Sequence, residues 1–157
     1  YRKRWPAESF SALIDRLSRT FNARILLFAG PKEKSEIDRI VAGCREPGVF
    51  ECTDASLGQT IALIKRCDLF IGNDTGPLRF ADAQKKKIVA LFGPVDERVY
   101  GLYPPEEGRT VVLKKDLPCR PCYRNFRLAA CSRQRACLTG ITVEEVVRAV
   151  KELTRWE

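Results

Sequence analysis

Four stretches of this 157-residue sequence carry side chains whose types and spacing could do chemistry. The most suggestive is Gly72-Asn73-Asp74-Thr75-Gly76-Pro77, which follows an apolar run and precedes a helical pattern. Glycine at 76 lets a ligand come close to the backbone, and a helix opening at Pro77 offers free N–H groups and a partial positive charge. Such a turn suits a diphosphate. Thr75 can add a hydroxyl donor, while Asp74 can accept from a sugar hydroxyl or cap the helix. The same Asp-Thr-Gly-Pro run also makes a sound turn and cap with no ligand at all. Earlier, Gly30-Pro31-Lys32-Glu33 places a glutamate able to accept two ribose hydroxyls, or a solvated first-turn acid favoured by the helix dipole. Asp54-Ala55-Ser56 follows a second apolar run, with Ser56 and Gln59 spaced as a capping box. Last, Cys119-x-x-Cys122 with Cys131 and Cys137 could hold a structural zinc or an iron–sulfur cluster. The second pair is spaced more widely than zinc sites favour, so free thiols or disulfides packing a hairpin-like loop is the other reading.

These candidates need a scaffold, and the pattern supplies one. Phe10, Leu13, Ile14, Leu17 and Phe21 recur at helical spacing after Pro6. Short apolar runs at 25–29, 49–52, 68–72, 87–92 and 110–113 read as strands, with helices between them at about 35–44, from 57, and from 77 to 83. A final helix starts at Thr142, where Thr142 and Glu145 form a second capping box, and runs through Val146, Val147, Val150 and Leu153. Strands apolar throughout and separated by helices imply a Rossmann-like parallel α/β sheet covered on both faces, over residues 1–157 as one domain. In such sheets ligands bind beyond the carboxyl ends of the strands, where the turns at 30–33, 54–56 and 72–77 would lie.

Composition narrows the chemistry. Apolar residues make up 45% and charged residues 31%, a globular balance, and no apolar run approaches the roughly 20 residues that span a bilayer. There is no His, so imidazole as base, shuttle or metal ligand is excluded within this chain. No Gly-x-Gly-x-x-Gly and no P-loop pattern occurs. Twenty-eight Lys and Arg against 20 acids give a net charge of +8, which favours anionic partners. Seven cysteines without a secretory segment point to a reducing compartment, with Cys44, Cys52 and Cys67 as small core residues. Met is absent, and the chain opens almost directly on a helix start, so a fragment of something larger is expected.

Residues 114–140 stand apart. This basic, Cys-rich arm carries Lys114, Lys115, Arg120, Arg124, Arg127, Arg133 and Arg135 against the single acid Asp116. With Tyr123 and Phe126 interleaved, it could be a metal-stapled module binding nucleic acid or an acidic partner. The charge could equally face an anionic lipid surface, or remain as a solvated arm.

Read in order, Lys3-Arg4-Trp5-Pro6, Phe28-Ala29-Gly30-Pro31-x-Glu33 and Leu69-Phe70-Ile71-Gly72-Asn73-Asp74-Thr75-Gly76-Pro77 resemble the C-terminal half of the heptosyltransferases, glycosyltransferase family 9. Ala90-Leu91-Phe92-Gly93-Pro94-Val95-Asp96, Leu117-Pro118-Cys119-Arg120-Pro121-Cys122 and Ile141-Thr142-Val143-Glu144-Glu145-Val146 continue the series. The resemblance implies the C-terminal domain of a two-domain GT-B enzyme. Such an enzyme takes a nucleotide-diphosphate-sugar, typically ADP-heptose, and extends a lipopolysaccharide core by an inverting mechanism that requires no metal. It implies that Lys3 meets the donor's phosphates, that Glu33 holds the ribose, that Ala55 and Ser56 pack along the base, and that Asp74, Thr75 and Gly76 meet the sugar and diphosphate. Arg79 stands where the family usually has His, and remains able to contact a phosphate. Lys85-Lys86-Lys87 replaces small and proline residues. The general base would lie in an N-terminal domain outside this sequence, so this chain alone is expected to bind nucleotide weakly and not to turn over. The implied partners are the donor and an anionic lipid-linked saccharide acceptor, with nucleic acid disfavoured. The implied location is cytoplasmic, with a peripheral contact on the inner face of the bacterial inner membrane.

Overall fold

The computed structural model describes residues 3–102 and 108–155. Helix α1 (Ala7–Phe21) begins just past Pro6, whose fixed φ suits a helix start, and ends on Asn22 in the left-handed region. Strand β1 (Ile25–Phe28) leads through a 3-10 turn (Pro31–Glu33) into α2 (Lys34–Gly43). Strand β2 (Val49–Cys52), α3 (Leu57–Arg66), β3 (Leu69–Asn73), α4 (Gly76–Ala83) and β4 (Lys87–Phe92) continue the alternation. A short helix α5 (Glu97–Tyr100), absent from the sequence pattern, precedes β5 (Thr110–Lys114). The arm then forms a hairpin, β6 (Tyr123–Arg124) with β7 (Arg127–Leu128), and a single turn α6 (Ala136–Thr139) before α7 (Val143–Thr154). Both expected capping boxes form: Ser56 Oγ accepts from Gln59 N, and Thr142 Oγ1 accepts from Glu145 N.

The strands run parallel, as their apolar character requires, but they pair as two ladders rather than one. β1 pairs β2, with Ile25 opposite Val49, and β4 sits between β3 and β5. Among the described residues no ladder joins β1 to β3. Side chains join them instead, Ile25 and Ile71 packing against the same buried cluster.

β4 explains the layering. Ile88, Val89, Ala90, Leu91 and Phe92 are all fully buried, and they alternate between two cores. Val89 and Leu91 face a cluster built from Trp5, α1 and α7; Ile88, Ala90 and Phe92 face one built from α3 and α4. This is the period-two alternation of a strand with helices on both sides. Ile88, Val89, Leu91 and Phe92 each contribute about 1.5–3 kcal/mol by leaving water. Gly93 ends the strand where only glycine fits, because a Cβ there would lie 2.7 Å from Cγ of the fully buried Leu138. A third cluster, with Ala7, Ile14, Ile37 and Ile40 at its centre, seats α1 on α2.

The arm is anchored to the fold at both ends. Cys137 and Leu138 belong to the α1–α7 core, and Arg120 is a buried cross-brace whose side chain is 6% exposed. Its guanidinium donates to the carbonyls of Gly93, Val95 and Lys115 and to Glu97 Oε2. Lys114 pairs with Glu97 and Lys115 with Glu145, so much of the arm's charge is neutralised within the fold.

Candidate functional site

Parallel pairing puts the carboxyl ends of β1 and β2 side by side, Phe28 opposite Cys52, and likewise those of β3 and β4, Asn73 opposite Leu91. The turns that follow share one edge of the molecule. What closes the site is the segment before α1. Trp5, 1% exposed, donates from Nε1 to the carbonyl of Ile141 at 2.9 Å, and its backbone N–H donates to Asn73 Oδ1 at 2.9 Å. Two buried bonds therefore fix residues 3 and 4 over the end of β3.

Lys3 consequently reaches Asp74, Nζ to Oδ2 at 3.6 Å, across a carboxylate whose side chain is only 13% exposed. Arg79, one turn into α4, donates to Asp74 Oδ1 at 2.5 Å and to the carbonyls of Gly101, at 2.5 Å, and Tyr100. Asp74 thus serves as an ion-pair hub, with Thr75 as the N-cap residue of α4. Thr75 Oγ1 bonds the carbonyl of Asn73 at 3.3 Å and makes no side-chain cap. Gly76 has no positive φ, and a Cβ there would meet nothing within 4 Å. Its smallness answers no internal contact, and the first turn of α4 presents an open face. Free N–H groups, a threonine hydroxyl and two cations around an open helix start are what a diphosphate needs.

Glu33 lies on the neighbouring turn. Its Oε2 accepts from Gly30 N at 3.0 Å and its Oε1 pairs with Arg4, so a ribose would compete with Arg4 for it. Ala55 and Ser56 stand beyond β2 on the same edge; Ser56 is the cap of α3, and no bond ties either residue to the Lys3–Asp74 corner. The structure therefore brings Lys3, Arg4, Glu33, Asp74, Thr75 and Arg79 into one connected array, and leaves Ala55 and Ser56 at its margin. Arg79 is turned onto Asp74 and the end of α5.

The sequence reading places neither Arg4 nor Tyr123 at the donor site, yet both belong here. The Lys3 ammonium stands 4.0 Å from the centroid of the Tyr123 ring, which packs edge-on against Tyr100 at 5.6 Å. Arg4 was legible only as part of its motif. Tyr123 carried no local signal for this site, because its position depends on how the arm folds back.

Two grooves of the described surface lie elsewhere. One, of about 790 Å³, runs between α1, α2 and α7; the other, of about 540 Å³, lies beside Cys67 and Lys85, Lys86 and Lys87. Among the described residues no group of three or more His, Cys, Asp or Glu is placed to hold a metal ion, and none of the seven cysteines is in a disulfide. Cys119, Cys122, Cys131 and Cys137 are therefore not assembled as a tetrathiolate here. Burial first, and the neighbouring cysteines of the same set after it, push the thiols of Cys122 and Cys137 up. The metal-stapled nucleic-acid module loses support in two ways: the staple is not formed, and Lys114, Lys115 and Arg120 face internal partners.

A family model for glycosyltransferase family 9 (heptosyltransferase) matches residues 1–131. The chain is 28% identical over 157 residues to lipooligosaccharide heptosyltransferase 2 of Campylobacter jejuni, covering 97% of this chain and 47% of that protein. It is 34% identical over 100 residues to lipopolysaccharide heptosyltransferase 3 of Escherichia coli, covering 60% of this chain and 28% of that one. Among solved structures, E. coli ADP-heptose lps heptosyltransferase II superposes with a TM-score of 0.76 at 22% identity, covering 96% of this chain and 42% of that chain. E. coli heptosyltransferase WaaC with ADP follows at 0.73 and 22%, covering 97% and 40%. The fold is thus shared with 42% and 40% of the two solved chains, and the chain spans less than half the length of the relatives it matches.

Proposed function

The chain belongs to glycosyltransferase family 9, the heptosyltransferases, and from that membership we propose that it is the donor-binding half of a sugar transferase. The donor in this reading is a nucleoside-diphosphate heptose of the ADP-heptose kind, a choice supported by two structural neighbours, the E. coli ADP-heptose lps heptosyltransferase II and heptosyltransferase WaaC with ADP. The acceptor is a hydroxyl of a lipid-linked lipopolysaccharide core.

The observation that carries the proposal is the open first turn of α4, flanked by Lys3, Thr75 and Arg79. Transfer would form a bond from the acceptor oxygen to the anomeric carbon while the bond from that carbon to the diphosphate oxygen breaks. The diphosphate leaves with the electron pair. Lys3, the Thr75 hydroxyl and the α4 N–H groups would stabilise that charge, a task for preorganised donors. Glu33 would take the ribose hydroxyls by releasing Arg4, and Ala55 and Ser56 would line the base. Asp74, which already orients Lys3, would be the acid nearest the sugar. A base for the acceptor proton belongs to the part of the relatives' length that this chain does not span.

The acceptor side brings in the membrane. No described helix is long and apolar enough to cross one. The tip of the β6–β7 hairpin is the part of the arm suited to a peripheral contact with anionic lipid. Phe126 there is 83% exposed, Arg124 and Arg127 flank it, and Asn125 and Phe126 turn with φ of 48° and 59°.

Calorimetry with ADP tests the donor reading. Saturable binding that falls at least fivefold in Thr75→Ala and in Glu33→Ala is expected, each change removing a charged or hydroxyl partner of about 1–3 kcal/mol. Salt-sensitive binding to short DNA with no ADP response would overturn it.

A further inference from the structure

The arm and the Lys3 segment meet at points that neither packing nor capping explains. Pro94, at the exit of β4, accepts from the backbone N–H of both Cys122 and Tyr123, at 3.0 and 3.1 Å. Arg120 binds the carbonyls on either side of it, Gly93 and Val95. The exit of β4 therefore holds the start of the hairpin through every carbonyl from 93 to 95. Tyr123 projects from that anchorage, half-buried against the α3–α4 core and edge-on to Tyr100. The carbonyl of Tyr100 in turn accepts from Arg79. At the far end of the arm, Arg135 donates to the carbonyl of Arg4 at 3.4 Å. The arm thus contacts residues 3 and 4 from two directions.

We infer that Tyr123 is a positioning residue of the donor site: its ring face, fixed by the arm's attachment to the exit of β4, holds the Lys3 ammonium beside Asp74 for the diphosphate. This rests on the donor-binding reading above. At 4.0 Å from the ring centroid the ammonium sits well inside the range of cation–π attraction. Asp74 draws it from one side and the aromatic quadrupole from the other. A lysine on a flexible stem gives up rotamer freedom when it clasps an anion, and one already held gives up less. The ring suits this duty better than a second carboxylate would, because it attracts the cation without adding a charge that repels the phosphates.

The experiment is calorimetry on the chain with ADP and adenosine as separate ligands at one salt concentration. In Tyr123→Leu, ADP binding should weaken about three- to tenfold, the loss of one cation–π contact and some preorganisation, while adenosine binding is unchanged. Tyr123→Phe keeps the ring face and should restore ADP affinity. In a Lys3→Met background, Tyr123→Leu should weaken ADP no further, since the ring acts through the ammonium. Full additivity of the two substitutions, equal losses for ADP and adenosine, or unchanged ADP affinity in Tyr123→Leu would each overturn the inference while leaving the donor site standing. A folded parent chain with no ADP response would overturn the donor reading, and the inference with it. Thermal unfolding of each variant keeps the outcome interpretable: a Tyr123→Leu chain that melts with the parent yet loses ADP selectively supports positioning.

Discussion

Arg120→Ala probes how the arm is held. In the parent, the guanidinium is 6% exposed and serves four acceptors at once: the carbonyls of Gly93, Val95 and Lys115, and Glu97 Oε2. Truncation withdraws the donor from three carbonyls and leaves Glu97 with Lys114 as its cation. Glu97 keeps a cation, so the cost lies chiefly in the carbonyls, each left without its donor at about 1–3 kcal/mol. These costs overlap, since the space left by the side chain admits water, so about 3–5 kcal/mol is expected in all. For a chain of this length each kcal/mol moves the melting temperature by about 2–4 °C, which gives a drop on the order of 10 °C. Arg120→Lys should recover only a small part, because one ammonium cannot span acceptors that a planar fork reaches together. Differential scanning calorimetry and urea titration are the assays. A midpoint within about 2 °C of the parent would refute the claim that the arm is braced to the exit of β4 rather than solvated.

Other outcomes follow from the same contacts. Trp5→Phe should cost about 1–3 kcal/mol in urea unfolding, because the carbonyl of Ile141 loses its buried donor. Glu145 gains stability from Lys115, whose hydrogen bond holds its carboxyl below the ordinary value of 4.5. A depressed value means the contribution is present above that pH and is lost as pH falls through the lower folded value. Glu145→Gln keeps the capping box yet removes the charge, so it should flatten the fall in melting temperature below pH 4.5, by about 0.5 kcal/mol for a pair one-third exposed. Phe126→Ser should lower co-sedimentation with anionic vesicles without changing ADP affinity, and equal sedimentation would remove the hairpin tip from the membrane contact. Sugar transfer by this chain alone should be undetectable in a radiolabel assay; turnover would place the general base among its own residues.

Much of this molecule is written locally. Apolar runs bounded by Gly, Pro and Asp define the five principal strands, because a strand buried on both faces must be apolar along its length. Ser56 with Gln59 and Thr142 with Glu145 mark their helix starts, because the donors they satisfy lie three residues away. The turn at Asp74-Thr75-Gly76-Pro77 and the acid at Glu33 were legible as site candidates for the same reason: what they offer a ligand is a property of a few consecutive residues. Short-range information does not extend to partners. That Asp74 would bind both Lys3 and Arg79, that Glu33 would bind Arg4, and that among the described residues four cysteines close in sequence would form no metal-holding group are outcomes of distant segments docking. Neither was the division into two ladders legible, since strand patterns fix which residues are buried and not which edges meet. The arm shows the limit most clearly: seven cations read as a surface charge, until burial against the exit of β4 forced Arg120 to find carbonyls and brought Tyr123 under Lys3. Chain composition decided which groups needed partners, and only packing decided which partners they received.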